Sequence, residues 1–160
     1  MSGLTHIDKN GQANMVDVTD KEVTVRTAVA EGYIYMSENT LKEVVEQTNK
    51  KGDVITTAKI AGIQAAKKCA DLIPLCHPLA LSKVDLSFQV QADQQRIHVK
   101  ALCKLTGKTG VEMEALTAVS VACLTLFDMC KAVDPCMEIQ GIRVLEKTGG
   151  KTGHWQNGNR

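Results

Sequence analysis

A long uncharged helix is the sequence feature that most constrains this fold. Within residues 107–133, a glycine-rich turn leads into a stretch from Ala115 to Phe127 that contains no charged residue. A helix of that composition is hydrophobic all round and must lie in a packed interior. A helix needs about 18 or more apolar residues to span a bilayer, and this stretch is shorter. The sequence therefore predicts a central buried helix in a domain without a membrane-spanning segment.

Charged residues flank this stretch on both sides. Glu112 and Glu114 at its start, and Lys131 at its end, match the helix dipole, whereas Asp128 in the last turn does not. Glu114 and Asp128 are 14 positions apart, which places them on nearly one helix face but about 21 Å apart along the axis. If both belong to one small-molecule site, two subunits must build it. The alternative is a separate structural role at each helix end.

Size and charge narrow the classes of function. At 160 residues the chain fits a single domain over 1–160, with a polar N-terminal segment to about residue 14 and a glycine-rich tail over about 148–160. Nineteen basic and eighteen acidic side chains leave a net charge near +1. That balance gives no broad basic field for nucleic acid, so any anion site must be local.

Cysteine spacing bears on metal content and on cellular compartment. The six cysteines contain no C-x-x-C pair, and most lie within apolar patterns, which favours buried free thiols in a reducing cytosol over a zinc site. The N-terminus, MSGLTHIDKNGQ, lacks the basic start and apolar stretch of a secretory signal. We therefore expect a cytoplasmic protein that requires no structural metal.

Hydrophobic periodicity predicts the order of the elements. The elements are, in order, extended chain over 15–18 and 23–36, a helix capped by Ser37, a helix capped by Asp53, a hairpin over 84–105, the long helix, and a strand over 137–147 with a bulge near Gly141. This order is typical of an α+β, ferredoxin-like fold, in which helices pack on one face of an antiparallel sheet. The other sheet face needs a cover, which subunit association can supply.

Three basic or titratable side chains stand out in their local context. Lys51, beside a glycine and a helix N-terminus, suits a phosphate, although most loop lysines are simply solvated. Arg26 lies among small strand neighbours and can reach across a surface, although a solvated strand charge is the commoner role. His77 lies in a rigid loop between Pro74 and Pro78, where proton transfer, phosphate binding and a backbone hydrogen bond all remain open.

Six uninterrupted segments carry a resemblance that covers nearly the whole chain. They are MVDV at 15–18, KGDV at 51–54, AGIQAAK at 61–67, DLIPLCHPL at 71–79, TGKTGVEMEALT at 106–117 and DMCKA at 128–132. Together they resemble the MoaC family of molybdenum-cofactor biosynthesis, the cyclic pyranopterin monophosphate synthases. The chain departs from the family pattern at Asn14, where histidine is common, and at Thr148 and Thr152, where serine is common.

The resemblance implies a lyase that converts (8S)-3',8-cyclo-7,8-dihydroguanosine triphosphate to cyclic pyranopterin monophosphate and pyrophosphate. It also implies a homohexamer of three dimers with active sites at the dimer interface, and no required cofactor, with the role of Mg²⁺ left open. Carried over by position, the catalytic residues are Asp128, Lys51 and Lys131, and the substrate-binding residues are Leu75, Cys76, His77, Met113, Glu114, Glu112, Arg26 and Lys147.

The implied chemistry matches these residue types. Opening and reclosing rings requires protons to be removed and returned, which suits Asp128 and Lys131, since neighbouring groups of opposite charge tune each other's pKa. Expulsion of pyrophosphate builds negative charge, which Lys51, His77 and Arg26 can stabilise. The expected site therefore combines a proton-transfer pair with cations for phosphate.

The two glutamates of the helix start need a different role, because a carboxylate repels phosphate. We expect Glu112 and Glu114 to accept hydrogen bonds from N–H groups of the guanine-derived ring. Two other functions remain open: a non-catalytic, nucleotide-binding ferredoxin-like sensor, and a lyase for another purine nucleotide. The combination of Lys51, Asp128 and Lys131 favours catalysis, because a sensor needs no proton-transfer pair at a helix end.

Overall fold

The chain forms a five-stranded antiparallel sheet. The computed structural model describes residues 3–158. Residues 1–2 of the predicted N-terminal segment and residues 159–160 of the predicted tail lie outside the described residues. The strands are β1 (Thr24–Tyr35), β2 (Lys83–Gln91), β3 (Arg96–Gly107), β4 (Glu138–Thr148) and β5 (His154–Gln156). Their order is β2-β3-β1-β4-β5, and each neighbouring pair is antiparallel.

The helices cover one face of this sheet. They are α1 (Glu38–Glu46), α2 (Val54–Lys67), α3 (Cys69–Leu72) and α4 (Glu112–Cys130). Helix α4 packs on β1, β3 and β4, while α2 packs on α4 and β2. The predicted α+β, ferredoxin-like arrangement is confirmed.

Local sequence signals account for where the first two helices begin. The Ser37 hydroxyl accepts a hydrogen bond from the backbone N–H of Thr40, and the Asp53 carboxylate accepts one from Thr56. Each side chain satisfies a backbone donor that the first helical turn leaves free. Both predicted N-caps are confirmed. Asp53 also fixes the end of the loop that carries Lys51.

The predicted bulge in β4 is also confirmed. The register between β1 and β4 shifts where Gly141 adopts a left-handed conformation with φ of 67°. Glycine adopts that conformation without steric cost, so the strand can absorb an extra residue there. The sequence did not predict β5, which lies in the glycine-rich tail, and the segment over 15–18 lies outside the sheet.

Helix α4 is the centre of the hydrophobic core. Ala115, Ala118, Val119, Ala122 and Leu126 are fully buried. Full burial of a leucine-sized side chain contributes about 1.5–3 kcal/mol to folding. Within residues 3–158, α4 is the one helix that is long and apolar enough to cross a membrane, and half of that stretch is buried inside the domain.

One face of α4 is nevertheless open in the single chain. Leu124 is 57% exposed and Met113 is 38% exposed, and both lie on the helix face that includes the half-buried Leu116 and Phe127. The prediction that the helix is buried on every side is therefore wrong for one subunit. The reason is geometric, because a sheet below and one helix beside it cover only part of a helical cylinder.

The sheet face away from the helices carries a buried carboxylate. Glu31 is 4% exposed and accepts hydrogen bonds from Arg143 Nε at 2.7 Å and His98 Nε2 at 2.8 Å. The Tyr33 ring stacks on His98 with centroids 4.6 Å apart. Burial favours a raised pKa for Glu31, but the hydrogen bonds from Arg143 and His98 outweigh it and hold the pKa below its usual range.

Candidate active site

The C-terminal end of α4 brings the three expected catalytic residues together. Lys131 Nζ lies 2.8 Å from Asp128 Oδ1, and Lys51 Nζ lies 3.9 Å from Asp128 Oδ2. Lys51 Nζ also donates to the backbone oxygen of Asp128 at 2.9 Å. We call Lys51, Asp128 and Lys131 the charge cluster. All three residues come from one chain, a point that the sequence left open.

The charge cluster holds its carboxyl group ionised. A hydrogen bond and the positive charge from Lys131, followed by the charge of Lys51, lower the pKa of Asp128. The side chains remain exposed, at 43% for Lys51, 60% for Asp128 and 53% for Lys131. Asp128 is therefore a carboxylate with two ammonium groups beside it, a combination able to accept one proton and to donate another.

A residue that the sequence did not single out anchors the Lys51 loop. Asn49 donates from its side-chain amide to the backbone oxygen of Met129 at 3.2 Å, and its side-chain oxygen accepts from the Lys51 backbone N–H at 2.9 Å. Gly52 then turns the chain with φ of 97°. These contacts tie the loop to the last turn of α4. The local signal was the asparagine before two lysines and a glycine, but its partner is 80 residues away.

The N-terminal end of α4 lies between two adjoining clefts. The first, the tail cleft, has a volume of about 560 Å³ and is walled by the glycine-rich tail, Arg26, Glu112 and Lys147. The second, the loop cleft, has a volume of about 630 Å³ and is walled by the rigid proline-bounded loop and the start of α4. Together the clefts contain all eight expected substrate-binding residues: Arg26, Leu75, Cys76, His77, Glu112, Met113, Glu114 and Lys147.

The two clefts share part of their walls. Lys21, Gly110 and Glu112 line both of them, so one ligand can extend from one cleft into the other. Glu112 Oε1 pairs with Lys147 Nζ at 3.1 Å across the tail cleft. The sequence analysis missed Lys21 and Lys151, which also line the tail cleft, because neither lies in a distinctive local pattern.

Backbone packing fixes Arg26 in the tail cleft. Arg26 Nε donates to the backbone oxygen of Gly107 at 3.3 Å. Gly150 lies against the end of the Arg26 side chain, where a β-carbon would be 2.6 Å from Nη1, and its φ of 74° is a conformation that favours glycine. The tail therefore wraps the guanidinium closely. The Gly149 and Gly150 amides donate within the chain, to Gly153 O and to Thr24 Oγ1, so the guanidinium is the group here that suits an anion.

His77 in the loop cleft makes a backbone hydrogen bond. Its Nε2 lies 2.6 Å from the Val16 backbone oxygen, and because a carbonyl can only accept, Nε2 carries the proton. The ring is thereby held in one orientation, and Nδ1 is the nitrogen left to accept a hydrogen bond from a ligand. The structural role considered for His77 is present, and the ring still lines the cleft.

Glu114 is the buried titratable group of this site. It is 2% exposed; its Oε2 accepts from Cys76 Sγ at 3.5 Å, and its Oε1 has no hydrogen-bond partner within residues 3–158. Burial raises the pKa of Glu114, and burial together with the Glu114 charge raises the pKa of Cys76 to about 12. An unpartnered buried oxygen at the wall of a cleft favours a ligand that donates a hydrogen bond.

The two groups of expected site residues lie at opposite ends of α4. Glu114 and Asp128, 14 positions apart on this helix, are separated by about 21 Å along its axis. One chain therefore assembles the charge cluster and the two clefts separately. The structure brings together three expected residues at one end and eight at the other, and it does not join the two groups within one subunit.

The fold and these groups define a class before any comparison with known proteins. The chain is a ferredoxin-like α+β domain with two adjoining clefts large enough for a small molecule and a separate cluster of a carboxylate and two lysines. Residues 15–150 match the sequence model of the MoaC family, and the chain belongs to that family. Members of the family are enzymes of molybdenum-cofactor biosynthesis.

Proposed function

We propose that this chain converts (8S)-3',8-cyclo-7,8-dihydroguanosine triphosphate to cyclic pyranopterin monophosphate with release of pyrophosphate. The observation that supports this reaction best is the contact of Asp128 with both Lys51 and Lys131 at the end of α4. Rearranging the rings requires a base and an acid within reach of one another. The family membership supplies the pathway, and the charge cluster supplies groups suited to this step.

In this proposal Asp128 accepts a proton from the substrate and a flanking lysine returns one. The ionised Asp128 is ready to act as the base, because Lys131 and Lys51 lower its pKa. The ring rearrangement and the expulsion of pyrophosphate exchange bonds and protons without net transfer of electrons. The reaction therefore needs no redox cofactor, and no organic cofactor is proposed.

The two clefts divide substrate recognition between them. The tail cleft offers the positive charges of Arg26 and Lys147, which suit phosphate groups. The loop cleft offers the unpartnered Oε1 of Glu114, which suits an N–H donor of the guanine-derived ring. Glu112 lies in both clefts, so its pairing with Lys147 links the part that holds phosphate to the part that holds the ring.

A complete site in this proposal requires a second subunit. The charge cluster and the clefts are about 21 Å apart along α4, too far for one small substrate to reach both within a chain. The open face of α4, with Leu124 and Met113 exposed, supports association along this helix. We therefore propose dimers in which the charge cluster of one chain faces the clefts of its neighbour, and three such dimers form a homohexamer.

Pyrophosphate release is the direct test of this function. The purified protein is incubated with the cyclised dihydro-nucleotide, with GTP as the control, and pyrophosphate is followed over many turnovers. The proposal expects repeated release from the cyclised nucleotide and none from GTP. Saturable binding of the nucleotide without any release would contradict the proposal and support a sensor. Turnover of GTP at an equal rate would instead indicate a lyase of different specificity.

A further inference from the structure

A group of sulfur and oxygen atoms lies where the loop cleft meets the core. Cys69 Sγ is 3.9 Å from Cys76 Sγ, and Cys76 Sγ is 3.5 Å from Glu114 Oε2. The ligand atoms of the three residues all lie within 4.8 Å of one another. The proposed reaction gives Cys69 no role. Its close approach to Cys76 and Glu114 therefore needs a separate explanation.

We propose that Cys69, Cys76 and Glu114 form a binding site for a thiophilic divalent cation of the Zn²⁺ type, with two thiolates and one carboxylate oxygen as ligands. Tetrahedral zinc with Zn–S of about 2.3 Å and Zn–O of about 2.0–2.2 Å requires an S···S distance of about 3.8 Å and an S···O distance of about 3.6 Å. The observed distances are 3.9 Å and 3.5 Å. The ligand atoms are thus already close to the spacing that the ion needs.

The burial of the whole Glu114 carboxylate points independently to a cation on Oε2, the oxygen that lies 3.5 Å from Cys76 Sγ. Glu114 Oε1 is buried and, within the described part of the chain, accepts no hydrogen bond. A carboxylate removed from water requires a cation or a donor nearby. Thr117 Oγ1 lies 3.4 Å from Cys69 Sγ, where a hydroxyl can orient a metal-bound thiolate from the outer side of the site.

The loop cleft gives an ion access to these atoms. Cys76 is half-buried, and both Cys76 and Glu114 line the cleft of about 630 Å³. Binding releases the two thiol protons to solvent, and water from the cleft fills the fourth position. C-x-x-C spacing did not reveal this site because Cys76 lies seven positions after Cys69, the first residue of α3, and the chain turns back after α3 to bring the two thiols together.

Metal binding also has a consequence that rests on the proposed function. Cys76 and Glu114 are both expected substrate contacts, so an ion held by them occupies groups that the guanine-derived ring would use. The cation and the nucleotide therefore compete for this cleft. The site itself is tested without substrate, so its failure leaves the result of the pyrophosphate assay unchanged.

Cobalt spectroscopy tests the site directly. Reduced, chelator-treated protein is titrated with Co²⁺, and thiolate-to-cobalt charge-transfer absorption is recorded, followed by displacement with Zn²⁺. We expect one Co²⁺ per chain, with a band that Cys136→Ser retains because that thiol is exposed and remote in sequence. Cys69→Ser removes one of the two thiolate ligands, so the intensity of the charge-transfer band should fall by about half or more. Absence of the band in the wild type, or an undiminished band in Cys69→Ser, would overturn the proposal.

A second measurement uses the wild-type protein alone. Alkylation by iodoacetamide is followed at Cys76 and Cys136 by peptide mass spectrometry, with and without one equivalent of Zn²⁺. The proposal expects Zn²⁺ to slow alkylation of Cys76 at least tenfold relative to Cys136, because a metal-bound thiolate is less available. Equal slowing at both cysteines, or none at Cys76, would contradict it even if Cys69→Ser failed to fold.

Discussion

The two ends of α4 place their acidic groups in opposite environments. At the C-terminal end, Asp128 is 60% exposed beside two lysines, and its pKa is lowered by them. At the N-terminal end, Glu114 is 2% exposed with one oxygen unpartnered, and burial raises its pKa. One helix therefore carries a carboxylate that stays ionised and another that is pushed towards the neutral acid. Such a pair of opposed shifts is typical of acid–base sites.

The difference in exposure shows at which end of α4 a single chain already excludes water from its acidic group. Two unit charges 4 Å apart interact by about 1 kcal/mol in water, and several times more strongly once water is excluded. Glu114 already lies in a water-poor environment within one subunit, so a hydrogen bond that it accepted there would be strong without a second subunit. The charge cluster remains in water, and its interactions become strong only when another surface covers it.

Replacing Asp128 should give the largest effect. Asp128→Asn keeps the shape of the side chain but removes the base, so turnover should fall by about 10²- to 10⁴-fold while the substrate still binds. Pyrophosphate release and calorimetric binding of the cyclised nucleotide measure the two quantities. Asp93→Asn, in the turn between β2 and β3, is the matched control and should retain wild-type activity. Full activity of Asp128→Asn would remove the charge cluster from the mechanism.

Replacing Lys51 should affect both turnover and binding. Lys51→Ala removes a cation that faces developing negative charge, so turnover should fall by about 10²-fold and affinity should weaken with a smaller dependence on salt. Lys50→Ala, the exposed neighbour in the same loop, is the control. Affinity measured at two ionic strengths separates the variants. A Lys51→Ala protein with unchanged affinity and salt dependence would assign Lys51 to proton transfer alone.

Mixing inactive variants tests whether the two ends meet across subunits. In a symmetric dimer, Asp128→Asn mixed with Glu114→Gln should recover about one quarter of wild-type activity after subunit exchange, because half of the dimers are hybrids with one intact site each. Lys51→Ala mixed with Asp128→Asn should recover none, since both residues belong to one cluster in one chain.

Subunit exchange must be shown independently, for example with two differently tagged chains. Recovery by Lys51→Ala with Asp128→Asn would mean that the assembled protein separates residues that the single chain places 3.9 Å apart. Absence of recovery by Asp128→Asn with Glu114→Gln, with exchange established, would show that the two ends of α4 act in different sites.

Stability against pH should give a smaller contrast between the ends. The raised pKa of Glu114 means that the folded state binds its proton more tightly, so its contribution to stability is fully present below its usual value of 4.5 and is lost as pH rises from there through the raised folded pKa. Glu114→Gln should therefore gain stability relative to wild type with rising pH, by about 1.4 kcal/mol for each unit by which burial raises the pKa.

Urea unfolding between pH 4 and pH 8 measures this difference. Asp128→Asn is the comparison: the lowered pKa of Asp128 keeps its contribution fully present above its usual value of 3.8, and the contribution is lost only as pH falls below that value. Over this range the stability difference between Asp128→Asn and the wild type should therefore not change with pH. Parallel pH curves for Glu114→Gln and the wild type would contradict the burial assigned to Glu114.

Sequence reasoning succeeded where the cause of a structure is local. Ser37 and Asp53 cap the helices that follow them, and Gly141 marks a bulge, because each effect acts within a few residues of backbone. The uncharged stretch identified α4 as the core helix for the same reason. Periodicity also gave the alternation of strands and helices from which the ferredoxin-like order follows.

What the sequence missed depends on contacts between distant residues. The anchoring of Asn49 to the end of α4, the approach of Cys69 to Cys76, and the placement of β5 beside β4 all depend on how separate elements meet. The open face of α4 likewise depends on how much surface one sheet and one helix can cover. Hydrophobic pattern alone does not distinguish burial within a chain from burial between chains.

The hydrogen bond from Lys51 Nζ to the Asp128 backbone oxygen also restrains the end of a helix. The backbone oxygens of Asp128 and Met129, in the last turn of α4, accept hydrogen bonds from the side chains of Lys51 and Asn49. A phosphate oxygen that draws Lys51 away must replace a bond with a net worth of about 0.5–1.5 kcal/mol. Ligand engagement and fraying of this final turn are therefore thermodynamically linked, and amide hydrogen exchange near residue 130 should quicken when Lys51 moves onto its ligand.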